Sequence, residues 1–155
     1  MEANEVLRTL RESRGLTQEA LAQRLHVTRQ AISRWETGET VPNTETLKQL
    51  SREFDVSINT LLGSPRQLFC QCCGMPLQDG EISREPDGSM NEEYCKWCYQ
   101  DGAFVYQTAE QVVEVCAGFL TEYHPELTSS QAKYLLRKQI PYLKHWANGA
   151  KAESV

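Results

Sequence analysis

Four cysteines in two Cys-x2-Cys pairs carry the clearest chemistry in the sequence. Cys70 and Cys73 lie in "FCQCCGMPL", and Cys95 and Cys98 lie in "YCKWCYQDG", with 21 residues between the pairs. Thiolates are soft, strong ligands, and a two-residue spacing lets each tight knuckle offer two sulfurs to one tetrahedral ion. The preferred ion is Zn2+, one per chain and structural; iron fits the same four sulfurs. Gly74 is expected to permit the turn that brings backbone amides to sulfur. Cys72 breaks the two-residue spacing and is expected as a free thiol on the knuckle surface, whereas Cys116, in "AEQVVEVCAGFLTEY", reads as core. His124 and His145 are expected beside wet helix ends, outside the ligand set. A disulfide-exchange role would call for one pair in a βαβ setting, and here there are two pairs and no such pattern. A closed four-sulfur shell with no nucleophile and base beside it predicts a chain that is not an enzyme.

A second stretch, "TRQAISRWETG" from Thr28 to Gly38, offers a different chemistry. Read as a helix, it turns Ala31, Ile32 and Trp35 inward and leaves Arg29, Gln30, Ser33 and Arg34 outward. Such side chains match the major groove, where Arg pairs with guanine O6 and N7 and Gln with adenine N6 and N7. The net charge of -5 does not oppose this, because phosphate contact depends on a local patch rather than the sum. Residues 1–63 carry 8 Lys or Arg against 9 Asp or Glu, and residues 64–155 carry 8 against 12, so neither half is a basic tail.

The elements that must hold these groups are legible from periodicity and caps. "EVLRTLRESRGL" turns Val6, Leu7, Leu10 and Leu16 inward, leaves Arg8, Arg11, Glu12 and Arg14 wet and stops at Gly15. Thr17 caps a second helix that buries Ala20, Leu21 and Leu25, and Thr28 caps the third after a tight turn at His26 and Val27. Asn43 or Thr44 opens a fourth helix burying Leu47, Leu50 and Phe54, and "SINTLLG" supplies Ile58, Leu61 and Leu62 to a fifth. Glu36 is expected to bond inward, to Arg24. Between the knuckles, the turn signals Asp79-Gly80 and Asp87-Gly88 predict short strands. Thr108 with Gln111 forms a capping box for a helix to Tyr123, with Val112, Val113, Cys116, Phe119 and Leu120 on its apolar side. A further helix repeats Ala132, Leu135, Leu136 and Ile140, and "YLKHWANG" forms a last turn or two.

Residues 4–63 resemble the Cro and phage-repressor-like (XRE) helix-turn-helix family, in the Thr17-Gln18 opening of helix 2, the Ser33-Arg34-Trp35-Glu36-x-Gly38 close of helix 3 and Pro42 before helix 4. The resemblance implies that Arg29, Gln30 and Arg34 face base edges, that Thr28 and Ser33 lie nearer the sugar-phosphate backbone, and that Gln18 and Asn43 touch phosphate on either flank. His26 stands where the family commonly has Gly, which calls for a left-handed backbone at that residue. "CQCCGMPL", "DGSMNEEYCKWCYQDGAFVYQ", "VVEVCAGFL" and "PYLKHW", spanning Phe69 to Trp146, resemble a zinc-ribbon domain family found alone or behind bacterial regulators, with Cys72 in place of a more usual small polar residue. That resemblance implies a fold and a metal site and no defined reaction.

The expected fold class is therefore mainly α: a five-helix repressor-like DNA-binding domain over 1–63, a connection over 64–68, and a small four-cysteine zinc ribbon with C-terminal helices over 69–155. No run of about 18 apolar residues and no basic-then-apolar start is present, so a cytoplasmic chain without membrane contact is expected. The expected function is a sequence-specific transcription regulator that binds double-stranded DNA, a palindromic operator, as a homodimer. The zinc ribbon would serve dimerisation, partner binding or sensing. The alternative is an antitoxin-like or adaptor protein that binds another protein through its ribbon half.

Overall fold

The computed structural model describes residues 1–63 and 65–147; Ser64 in the expected connection, and Asn148 and Gly149 of the expected last turn, lie outside the described residues. The described residues form two compact units, one holding residues 1–63 and the other holding both cysteine knuckles and the C-terminal helices.

In the first unit five helices follow in order: α1 (Ala3–Ser13), α2 (Gln18–Leu25), α3 (Arg29–Glu36), α4 (Thr44–Phe54) and α5 (Ile58–Leu61). Their starts are set locally. Thr17, Thr28, Asn43 and Ser57 each accept a hydrogen bond from the amide three residues on, which satisfies donors that a helix start leaves open. The α2–α3 turn depends on His26, which closes α2 in the left-handed conformation (φ 55°, ψ 42°) that the sequence calls for there. Gly63 has a similar φ of 70°, and a Cβ there would stand 2.5 Å from the Met1 carbonyl oxygen, so the unit's two ends approach as only glycine allows.

The core is made of Leu7, Leu21, Ala22, Leu25, Ile32, Trp35, Leu50, Phe54 and Leu61. Burial of each larger member contributes about 1.5–3 kcal/mol. Leu62, expected inward with Leu61, is 52% exposed, because α5 ends at Leu61 and the chain turns away.

Two polar expectations are overturned. Arg11, placed among the wet residues, is buried, and Glu36 is bonded to it rather than to Arg24. Arg11 Nε and Nη2 donate to Glu36 Oε1 and Oε2 at 2.5 and 3.0 Å, and Nη1 donates to the Leu16 carbonyl at 2.7 Å. Arg24 pairs with Glu53 on α4 instead. Arg11 follows Leu7 by four residues, on the inward stripe of α1, so its guanidinium reaches α3 while Arg24 points outward.

In the second unit six short strands make three two-stranded sheets: β1 (Leu68–Phe69) with β2 (Pro76–Leu77), β3 (Ile82–Arg84) with β4 (Met90–Cys95), and β5 (Tyr99–Gln100) with β6 (Ala103–Phe104). β1 begins at Leu68, the last residue of the expected connection. Helices α6 (Ala109–Tyr123) and α7 (Ser129–Gln139) pack on each other. The Thr108–Gln111 capping box is present, and Thr128 and Gln131 form a second. Val112, Val113, Ala117, Ala132 and Ile140 are buried, but Phe119 and Leu135, expected on the apolar sides, are 60% and 46% exposed. Among the described residues of this unit, two helices leave no third layer to cover those faces.

Glu36→Ala should destabilise the helical unit by about 3–5 kcal/mol, since it strands the buried Arg11 charge. Burial pushes the Glu36 carboxyl up, but the hydrogen bonds from Arg11 and Gln18 and the Arg11 charge outweigh it and hold the carboxyl below its ordinary value. The pair's contribution is therefore present above the unfolded Glu value, about 4.3, and is lost as pH falls through the lower folded value. Chemical denaturation across pH 2–7 should show that acid-dependent loss in the parent chain and its absence in Glu36→Gln.

Candidate nucleic-acid interface and metal centre

Helix α3 presents Arg29, Gln30 and Arg34 as exposed residues and Ser33 as half-buried, with Thr28 exposed at its cap. The structure gives several of these side chains work within the protein. Thr28 Oγ1 accepts from the Ala31 amide at 3.1 Å, and Asn43 Oδ1 accepts from the Thr46 amide at 2.9 Å. The Thr28 hydroxyl hydrogen and the Asn43 amide NH2 remain as outward donors. Arg34 lies 3.8 Å from Glu39, a loose exposed pair.

Gln18 is the connecting residue. Its Nε2 donates to Glu36 Oε2 at 3.0 Å, and its Oε1 accepts from Arg29 Nη1 at 3.3 Å. A chain of hydrogen bonds thus runs from Arg11 in the core through Glu36 and Gln18 to Arg29 at the start of α3. It fixes the amide's orientation, because the nitrogen must face a carboxylate and the oxygen a guanidinium. One Nε2 hydrogen stays free for a further acceptor. Arg11 was missed from sequence; its place on the apolar stripe was the signal that could have found it.

In the second unit the sulfurs of Cys70, Cys73, Cys95 and Cys98 all lie within 4.8 Å of one another, and Cys73 and Cys95 are 3.9 Å apart. A tetrahedral ion with Zn–S bonds of about 2.3 Å places its sulfurs about 3.8 Å apart, so the four-sulfur set fits such an ion. Cys70, Cys95 and Cys98 are buried and Cys73 is half-buried. The Cys95 amide donates to Cys70 Sγ at 3.3 Å, while the Gly74 amide donates to the Cys70 carbonyl at 2.8 Å. Gly74 therefore closes the knuckle backbone, and the amide that approaches sulfur comes from the other pair.

The thiols titrate as one set. Hydrogen bonds from Cys73, Cys95 and Cys98 hold Cys70 far below the ordinary thiol value. Hydrogen bonding to Cys116 and then to Cys70 pushes Cys73 up to about 12, and bonding to Cys70 above all pushes Cys95 and Cys98 up. One anion is accommodated and its neighbours resist ionising, so four thiolates in this volume require a cation.

The two remaining cysteines were placed wrongly from sequence. Cys72 is fully buried rather than on the knuckle surface. Cys116, expected in the core, is half-buried. His145, expected at a wet helix end, stacks on Phe104 with centroids 3.9 Å apart and meets Tyr94 and Trp146 edge-on; burial holds its imidazole below the usual range. The segment around it clamps the first knuckle. The His145 amide donates to the Gln71 carbonyl at 3.1 Å, and Trp146 Nε1 donates to the Cys72 carbonyl at 2.8 Å.

Residues 69–147 match the family model described as "Putative zinc ribbon domain", and residues 7–61 match a helix-turn-helix model. The HTH-type transcriptional activator BcrR of Enterococcus faecalis is 53% identical over 62 residues, which are 40% of this chain and 30% of that protein. The P22 c2 repressor protein, solved in complex with synthetic operator 9T in the presence of Tl+, is 36% identical; the match covers 41% of this chain and 96% of that one with a TM-score of 0.40.

Trp146→Phe keeps an aromatic ring, though a smaller one, and removes the donor to Cys72, and should cost the ribbon about 1 kcal/mol. Urea unfolding followed by far-UV circular dichroism measures it; an unchanged midpoint would show that the clamp holds by packing alone.

Proposed function

From its membership of the zinc-ribbon domain family over its C-terminal half and the XRE-type helix-turn-helix domain before it, we propose that this chain is a sequence-specific DNA-binding transcription regulator. The observation that carries the proposal is the outward Arg29, Gln30 and Arg34 on a helix whose opposite face is locked into a core. Arg29, Gln30 and Arg34 reach base edges, Thr28 and Ser33 lie near the sugar-phosphate backbone, and Gln18 and Asn43 contact phosphate with the donors left free by their internal bonds. Cys70, Cys73, Cys95 and Cys98 hold one structural Zn2+, whose charge answers the four thiolates and whose coordination supplies folding energy that such short strands do not.

One recognition helix reads few base pairs, so the regulator acts as a homodimer across a palindrome with half-sites about 34 Å apart. The ribbon half serves dimerisation, partner contact or sensing. The exposed run of Val115, Phe119 and Tyr123 at four-residue spacing on α6 supports a contact role. It also keeps open the adaptor or antitoxin-like reading, in which that half holds a different protein. Selection of bound sequences from random duplex DNA tests the main proposal, with recovery of a palindrome expected; enrichment of no sequence would reject it. A second protein purifying in fixed stoichiometry would favour the adaptor.

On a selected operator, Arg34→Ala should weaken binding by about 1–3 kcal/mol and relax base choice at one position per half-site. Gln18→Ala should lower affinity on specific and random duplexes alike and relax choice only at the base pair read by Arg29, which it steadies. Titrations against single-base operator variants decide both, and unaltered base preference would remove these residues from readout.

Metal removal, or Cys95→Ser, should disorder residues 69–147 while the five helices stay folded, because those helices own a separate apolar core. Amide shifts of the zinc-loaded and chelated protein report this residue by residue. Loss of native shifts through residues 4–63, or an unchanged ribbon after verified metal removal, would defeat this division of labour.

A further inference from the structure

The turn that follows α3 sets an acid beside one of its outward arginines. Three donors converge on the Arg34 carbonyl: the Glu39 amide at 2.9 Å, the Thr40 amide at 3.3 Å and the Thr37 hydroxyl at 3.2 Å. Gly38 makes the reversal, with a φ of 76° and its amide bonded to the Trp35 carbonyl at 3.2 Å. Asn4 on α1 ties the same stretch, its Nδ2 donating to the Glu36 carbonyl at 3.4 Å. The backbone of Glu39 is thus held against the last turn of α3, and its carboxylate lies 3.8 Å from Arg34 Nε. Both side chains are exposed, at 59% for Arg34 and 65% for Glu39. Such a pair adds little to folding; its consequence lies in what Arg34 can reach.

We propose that Glu39 is a specificity-determining, positioning residue that aims Arg34 at a guanine and keeps it off phosphate. The proposal rests on reading α3 as the base-contacting helix. A guanidinium is a planar fork of five N–H donors. Glu39 meets it at Nε, and the far end, Nη1 and Nη2, is left as a pair of parallel donors that matches guanine O6 and N7. Engaging guanine therefore keeps the carboxylate contact. Swinging to a phosphate exchanges one anion for another and leaves the carboxylate facing the backbone charge, and a carboxylate within a few ångströms of phosphate is repelled even in water. The acid consequently penalises the sequence-independent mode, which meets backbone charge alone, more than the base-reading mode. The base under Arg34 in each half-site is then a guanine. Arg29 is held differently: its Nη1 donates to Gln18 Oε1 at 3.3 Å, a neutral partner that orients the side chain without repelling phosphate.

The test titrates the full zinc-loaded chain against a random duplex and against a selected operator carrying each of the four bases at the Arg34 position. Glu39→Gln removes the charge at an exposed site and leaves the backbone bonds of the turn in place. It should tighten random-duplex binding roughly threefold to fivefold and lower the preference for guanine over the other bases by a similar factor. In an Arg34→Ala background the same substitution should leave base preference unchanged, because its effect on readout passes through that side chain. Unchanged guanine preference in Glu39→Gln, or unchanged random-duplex affinity, overturns the proposal. Equal tightening on operator and random DNA with guanine preference intact marks Glu39 as a bare repulsive charge and overturns it too, as does a shift in preference that persists without Arg34. Absence of base choice in the parent chain, or base choice undisturbed by Arg34→Ala, would instead overturn the base-reading role of Arg34, and the proposal with it.

Discussion

A charge taken out of water has to be answered where it sits, and both units are organised around that constraint. In the helical unit the charge is the Glu36 carboxylate, met by two nitrogens of Arg11 and one of Gln18. In the ribbon it is the sulfur cluster, where one thiolate makes the next harder to form until a cation arrives. The apolar residues around each nucleus supply most of the burial, yet they do not choose the arrangement. A greasy contact is non-directional, whereas a bidentate guanidinium or a tetrahedral ion accepts few geometries.

The same constraint links interior to surface. Glu36 cannot release Gln18 without losing a bond, and Gln18 cannot turn without facing Glu36 with its oxygen. Arg29 consequently starts from a narrowed set of orientations, which lowers the ordering cost of any contact it makes. In the ribbon, the segment at Leu143 to Trp146 performs the corresponding service by holding the backbone of Gln71 and Cys72.

What was legible in the sequence was what depends on near neighbours. The caps at Thr17, Thr28, Asn43 and Thr108, the left-handed His26 and the closeness of the Cys-x2-Cys sulfurs each follow from residues within a turn of one another. What escaped was pairing at a distance. Spacing from Leu7 puts Arg11 on the inward stripe, but nothing local tells Glu36 to choose α1 over Arg24. The donor that holds the Cys72 carbonyl belongs to Trp146, 74 residues away. Periodicity also reports that a helix face is apolar without reporting whether anything covers it, which is why Phe119 and Leu135 were placed inside. The proposed base and phosphate contacts lean on family resemblance, since a row of polar side chains on a short helix is equally a solvated face.

The bond from Trp146 to the Cys72 carbonyl has a consequence for vectorial synthesis. The helical unit is complete once residue 63 has emerged, but the first knuckle waits for a partner made 74 residues later. At about 5–20 residues per second that interval is roughly 4–15 s. During it the nascent chain trails nucleophilic thiols behind an already folded head. The first knuckle is thus made early and completed late, and its cysteines spend that interval without the carbonyl bond that holds their backbone.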